Sequence, residues 1–217
     1  MGDFEKTKRS KVKRAPKRGR YDRETVNAII DAVLFCHVGF VEDGKPFVIP
    51  INHWRSDDRV FFHGSTASRL MKVLCEGRDV CVTVTHLDGL VLGRSAMHHS
   101  VNFRSAVIFG QAEEVSDEAE KMQALEALIE RVAPGRWAEV RIPNDIEMKA
   151  TRVAALPLTE ASAKIRSGPP IDDEEDYALP VWAGVVPLEM QAGTPVPDER
   201  LAPDTPLPDY LKDKKGL

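Results

Sequence analysis

Two apolar, β-branched runs, Leu34 to Glu42 and Lys45 to His53, meet at Asp43-Gly44, and no other dipeptide constrains the chain as much. A type I′ two-residue hairpin needs positive φ at both of its central residues. Asp-Gly tolerates that, so the two runs lie antiparallel. Arg55-Ser56-Asp57-Asp58 makes a second turn and Arg59 to His63 returns, which predicts three consecutive strands in a meander. Asp79 to His86 alternates Val80, Val82 and Val84 with Cys81, Thr83 and Thr85, as a strand with one face on a core does. Val101 to Val115 reads as one long strand with a bulge or close backbone approach at Gly110. Thr151 to Leu158 and Val181 to Pro187 supply two more, while Asp88 to Ser100 shows no clear period.

Helical spacing appears three times. Asp22 opens a run through Thr25, Val26, Ile29, Ile30 and Val33, a second helix follows Ser65, and Ser116 caps a third through Ala119, Met122, Leu125, Ile129 and Val132. Six or seven strands joined mostly by hairpins, with three helices, point to an antiparallel barrel with helices on its ends rather than a doubly wound sheet.

The segment most suggestive of chemistry is Phe61-Phe62-His63-Gly64-Ser65-Thr66-Ala67-Ser68-Arg69-Leu70-Met71-Lys72. It reads as a strand turning through a glycine into a helix capped by Ser65. At helical spacing Ser65, Ser68, Arg69 and Lys72 share one face, and Ala67, Leu70, Met71 and Leu74 the other. A helix N-terminus presents unpaired N–H groups and roughly +0.5 elementary charge, and a phosphate monoester carries about −1.5 to −2. Arg69 offers a two-pronged contact, Lys72 a point charge and the serines donors. An ordinary amphipathic surface helix has the same spacing.

With 217 residues and 42% apolar content, the chain suits one domain at 21–190 with a basic arm at 1–20 and a Pro-rich, extended tail at 191–217. No apolar run approaches the ~20 residues that span a bilayer. The N-terminus lacks the apolar segment of a secretory signal, so the expected location is cytoplasmic. Cys36, Cys75 and Cys81 are an odd number with no C-x-x-C pair, which argues against a disulfide scaffold and a zinc knuckle. The first 23 residues hold ten Lys and Arg against three Asp and Glu, and almost nothing apolar, so the arm is expected to be disordered alone. It lacks the interleaved aromatics of a nucleic-acid-binding segment; a solubilising tail and an arm docked on the acidic body are the other readings.

The six histidines invite metal or haem readings. No pair has the i, i+4 spacing of H-E-x-x-H, and His98 and His99, adjacent on a strand, would face opposite ways. His63, the last residue before the phosphate turn, is placed to move a proton or bind an anionic substrate. No G-x-S-x-G elbow occurs, and His37 beside Cys36 on a strand faces away from it, so hydrolase chemistry finds no support.

In their order along residues 20–190, Cys36-His37-Val38-Gly39-Phe40, Pro46-Phe47-Val48-Ile49-Pro50, Phe62-His63-Gly64, Ser68-Arg69, Ser100-Val101-Asn102-Phe103-Arg104-Ser105 and Phe109-Gly110 resemble one known family. It is the flavin-nucleotide-binding branch of the pyridoxamine 5′-phosphate oxidase-like superfamily, and the chain is similar in particular to the group that includes nitroimidazole-resistance proteins. The resemblance implies a mainly β, Greek-key split barrel that dimerises, with FMN at the interface and a small-molecule substrate. It implies that Pro50, Ile51 and Asn52 run along the isoalloxazine edge, that Phe62 and His63 lie by the ribityl chain, and that Ser68 and Arg69 engage the phosphate. The family's usual lysine directly follows the arginine; here Leu70 stands there, and Lys72 is one turn on. Ser105 falls where related oxidases place a glutamine near the flavin. Lys164 or Arg166 is able to stabilise reduced flavin, or else to pair with Asp172 to Asp176. Trp182 covers the cofactor or sits in the core. The Arg-x-His-Asp-Arg element of true pyridoxamine phosphate oxidases is missing, which argues against vitamin B6 as substrate. FAD, a deazaflavin or haem in place of FMN, and a redox-sensing module without turnover, stay open.

Overall fold

The computed structural model describes residues 2–212. Among these residues, eleven strands form two antiparallel sheets that close on each other as a split barrel, with helices at the rims. In chain order the elements are β1 (Gly19–Arg20), α1 (Arg23–Asp31), β2 (Phe35–Glu42), β3 (Lys45–Asn52), β4 (Trp54–Ser56), β5 (Arg59–Ser65), α2 (Arg69–Cys75), β6 (Asp79–Leu92) and β7 (Ser100–Gln111). There follow β8 (Glu113–Glu114), α3 (Glu118–Val132), α4 (Asp145–Ala150), β9 (Thr151–Pro157), β10 (Glu160–Arg166), β11 (Gly184–Pro187) and α5 (Asp209–Lys212). The first sheet runs β1-β10-β7-β6-β2-β3 with β11 paired to the far half of β6; the second runs β4-β5-β9-β8.

The hairpin at Asp43-Gly44 is present, with φ of 50° and 72° at its two residues. The meander is not: β5 pairs with β9, and the chain leaves the first sheet at His53. The His53 amide donates to Leu34 O at 3.0 Å, and its ring Nε2 lies 3.0 Å from Ile30 O. A fully buried imidazole bonded to the end of α1 pins the crossover, so β4 starts in the second sheet. Val101 to Val115 likewise splits between the sheets as β7 and β8. No bulge occurs at Gly110; a Cβ there would stand 3.0 Å from Leu156 Cδ1, so glycine allows the sheets to close. The bulge lies at Leu87/Gly89, and beyond it β6 continues to Leu92.

Val80, Val82 and Val84 point into the core with Val38, Ile108 and Leu156, as alternation requires. α1, capped by Asp22 accepting from Thr25 N at 2.8 Å, buries Val26, Ile29 and Ile30, worth about 1.5–3 kcal/mol each. α3 packs on the outside of the second sheet, with Ala124 and Leu128 against Trp54, Phe61 and Val153. Its cap is Asp117, not Ser116, and its buried stripe is offset from the expected one. α4, with its Asn144–Glu147 capping box, and β10 were not expected from the sequence. In the barrel β10 runs beside β7 along its whole length, and tertiary pairing carries what its mixed polar sequence conceals.

The basic arm does not hang free. Phe4 is buried in the core, β1 pairs with β10, and Arg9 donates from Nε to Glu160 at 3.1 Å while lying 5.3 Å over the Phe109 ring. The body's negative charge supplies the partner that the isolated arm lacks. No helix among the described residues is long and apolar enough to cross a membrane.

Candidate functional site

β5 ends at Ser65, and a tight turn leads into α2. Thr66 N donates to Ala150 O at 3.0 Å, Ser68 N to Ser65 O at 2.9 Å, and Ala67 N to Ser65 Oγ at 3.2 Å. The helix cap is Ser68, whose Oγ accepts from Met71 N at 3.4 Å; Ser65 belongs to the turn rather than the helix. Leu70, Met71, Val73 and Leu74 anchor α2 in the core, so Arg69 and Lys72 are left at the surface, while Ala67 is exposed. The Arg69 side chain is 54% exposed, with Nε 3.2 Å from Glu42 Oε2 and its guanidinium 4.6 Å over the Phe47 ring. Arg78 approaches the other oxygen of Glu42 at 3.5 Å. Two cations, Arg69 and Arg78, therefore share one carboxylate, and Arg69 is held over the Phe47 ring with more than half of its side chain open.

β3 is the last strand of its sheet, so one row of its peptide groups faces away from the ladder. Strand alternation splits the expected trio: Pro50 stands outward in register with His37, and Asn52 with Phe35, whereas Ile51 turns toward the core. Phe62 is fully buried between the sheets, which removes it from any ribityl chain. Its neighbours Phe61 and His63 emerge on the α3 side. His63 is half-buried, its ring 5.9 Å from Trp54, and its Nδ1 is buried without a partner. Burial lowers its pKa, which keeps the imidazole neutral near pH 7.

Ser105 and Lys164 are register partners on the outer face of the first sheet, and Ser105 Oγ donates to Lys164 O at 3.3 Å. Arg166 is not available to a cofactor. It is 7% exposed and donates to Asn102 Oδ1, to Gly168 O at 3.0 Å and to Pro169 O at 3.2 Å, tying down its own loop. Nor do Lys164 and Arg166 meet the acidic run: Arg94 does, through its amide and Nη1, each 2.9 Å from an oxygen of buried Asp172. Trp182 neither enters the core nor closes a cavity; it is 65% exposed and lies over Gly184.

The histidines divide by what their rings touch. His53 and His86 bond backbone carbonyls of α1 through Nε2, His99 bonds Ser95 O through Nδ1, and His98 faces Asp172 at 3.4 Å. His98 ends a short 3₁₀ turn, Ala96–His98, and His99 caps it, so neither is on a strand, and His98, Asp173 and Asp176 bring ligand atoms within 4.8 Å of one another. Burial pushes the Cys36 thiol up to about 12, so it is no nucleophile at neutral pH.

The sequence matches the pyridoxamine 5′-phosphate oxidase family over residues 22–165. Among solved structures, the chain is 48% identical to the flavocytochrome Anf3 from Azotobacter vinelandii, with 96% of this chain and 97% of that one covered and a TM-score of 0.91. It is 39% identical to the FAD and haem binding protein from Mycobacterium smegmatis, covering 92% and 98% with a TM-score of 0.88. A candidate 5-nitroimidazole antibiotic resistance protein from Bacteroides thetaiotaomicron, at 22% identity and a TM-score of 0.55 over 68% of this chain and 86% of that one, shares the fold. No protein of curated function matches the chain.

Proposed function

We propose that this chain, which belongs to the pyridoxamine 5′-phosphate oxidase family, binds a flavin at the Ser65–Arg69 turn and acts as a flavin-dependent oxidoreductase on a small molecule. The observation that carries the reading is the Arg69 guanidinium, oriented by Glu42 and Phe47 at a hydroxyl-lined turn yet more than half exposed. A flavin phosphate fits there: Arg69 donates two hydrogen bonds, Lys72 adds charge and the Ser65 and Ser68 hydroxyls line the turn. The unpaired edge of β3 at Pro50–Asn52 offers backbone donors and acceptors to the ring system, and the outer sheet face offers apolar surface. These residues address the flavin mononucleotide portion, which FMN and FAD share. When bound, the flavin supplies the electron and hydride transfer. The protein positions it, and neutral His63 is the residue available to take or give a proton in the reading without haem.

The outer face of the first sheet exposes Val41 and Val48 as diagonal neighbours and Phe35 further along β2, which supports a homodimer that encloses the flavin. Haem beside the flavin is a second reading, favoured by the two relatives that match almost the whole chain, a flavocytochrome and an FAD and haem binding protein. An imidazole that holds iron must offer a neutral nitrogen, and in that reading His63, the half-buried ring with no carbonyl or carboxylate on either nitrogen, would hold the haem iron instead of serving the flavin as a proton carrier.

An absorption spectrum of the purified protein, with mass analysis of what heat releases, tests both readings. Flavin absorption and a released flavin are expected; a colourless protein that takes up neither added FMN nor added FAD overturns the proposal. A Soret band that His63→Ala abolishes, with flavin content retained, establishes the haem assignment, and a Soret band unchanged in that variant refutes it. Oxidation of NAD(P)H with a nitro or quinone acceptor distinguishes an enzyme from a flavin-storing or redox-sensing module.

A further inference from the structure

β11 pairs with the far half of β6, and that pairing brings two connections of the chain together. The connection from β6 to β7 carries Arg94 and His98, and the one from β10 to β11 carries Asp172, Asp173, Glu174, Glu175 and Asp176. Their approach is close: a Cβ on Gly93 would stand 2.8 Å from both Asp172 Oδ1 and His98 Cβ, so the position needs a glycine. Among the described residues, only Arg94 and His98 form ion pairs with this acidic run. Asp172 faces inward with its side chain fully shielded, and Arg94 donates to it from its amide and from Nη1, each at 2.9 Å. Held in that way, it lies 3.4 Å from His98 Nδ1, a nitrogen itself cut off from water. A proton on Nδ1 toward Asp172 leaves the lone pair on Nε2, which lies 3.9 Å from Asp173 Oδ2. Histidines that bind metal ordinarily have this arrangement, a carboxylate behind the ring that fixes its tautomer and the ion in front.

We propose that His98, Asp173 and Asp176, whose ligand atoms lie within 4.8 Å of one another, bind a divalent ion of the zinc class, and that Asp172 orients the imidazole. One imidazole and two carboxylates suit zinc, whereas magnesium and calcium take oxygen ligands. Three protein ligands leave a fourth position for water. Neither carboxylate is committed elsewhere: the Asp173 side chain is 76% exposed and pairs only with His98, and Asp176 forms no ion pair among the described residues. Side-chain rotation of the two aspartates closes the set to the separation of about 3.3 Å that ligand bonds of about 2.0 Å impose around a tetrahedral ion. The ion joins the two connections and offsets the charge of the acidic run. It is independent of the flavin.

The test is Zn²⁺ titration of the full-length protein, freed of loose metal by dialysis against a chelator, in competition with a chromophoric zinc indicator. Wild type should take up a single zinc ion per chain, and Asp173→Asn/Asp176→Asn and His98→Gln should each weaken that binding about tenfold or more. The Asp173 side chain makes no capping hydrogen bond to the 3₁₀ turn Glu174–Ala178 that it precedes, so the double variant keeps its fold, which circular dichroism checks. His99→Ala should leave zinc affinity unchanged, because the His99 ring bonds Ser95 O at 3.0 Å and stands outside the set. A wild type that binds no more zinc than the double variant overturns the proposal and leaves a salt-bridge cluster with a protonated His98 between two carboxylates. A loss in His99→Ala as large as that in His98→Gln overturns it as well. Zinc uptake is read without reference to flavin or haem content, so failure of this proposal and failure of the flavin reading are separate results.

Discussion

Arg69 shows how a residue type is legible when its restraint is not. Its position one residue after Ser68 and on the solvent side of α2 follows from helical spacing, but Glu42 and Phe47, which hold its guanidinium, lie more than twenty residues away on the first hairpin. Arg69→Ala should weaken flavin binding about tenfold or more, since a charge-assisted bidentate contact contributes about 1.5–3 kcal/mol. Equilibrium titration with FMN checks this; unchanged affinity would remove the phosphate from the turn. His53 tests another aspect of the reading. Burial lowers its pKa from the ordinary 6.5, so below that pH the unfolded chain binds a proton that the folded chain refuses. Stability should therefore fall as pH drops from about 6.5 toward the depressed folded value. His53→Gln, which keeps a donor for Ile30 O, should flatten that slope in urea melts at stepped pH. Neither the buried His53 nor the loop-bound Arg166 is distinguishable by sequence from a histidine or arginine at a site, because burial is a property of the elements packed around them.

Among the elements, those with strong periods were the most legible. α1, the first hairpin and the inward valines of β6 lie where their spacing puts them, each being stabilised by local or nearest-neighbour terms. β10 and α4 were missed because Ala161, Ser162, Ala163 and Lys164 have no clear polar alternation, and because a six-residue helix has too few turns to show a stripe. Helix caps were off by a few residues where two candidate side chains stand close together. That error is measurable: Asp117→Ala should cost about 1 kcal/mol of stability, because Asp117 Oδ1 accepts from Glu120 N at 2.8 Å, whereas Ser116→Ala should cost almost nothing. Thermal or urea denaturation of the two variants decides between the caps, and a larger loss at Ser116 would contradict the structure.

For the whole molecule, the decisive surface is the outer face of the first sheet. Val48, 67% exposed, stands diagonal to Val41, with Phe35 further along the same outward face. Val48→Asp should shift the protein from dimer to monomer mass in sedimentation or light scattering, while far-ultraviolet circular dichroism stays native. A wild type that already sediments as a monomer would remove the partner from the proposal. The basic arm crosses the neighbouring part of that face, so the arm and the proposed dimer contact lie on one surface made from residues spread over much of the chain.

Taken alone, the sequence determined the antiparallel hairpin at Asp43-Gly44, the valine alternation of β6, the helix that presents Arg69 and the succession of motifs that marks the family. All of these rest on covalent neighbours, turn chemistry and periods of two or 3.6 residues. Tertiary structure decided which strands pair across the barrel, where the chain crosses between sheets, which arginine meets Asp172, and that the arm docks. Each of those outcomes joins groups tens of residues apart, and the balance of desolvation against charge and hydrogen bonding that selects them exists only once the two sheets have closed.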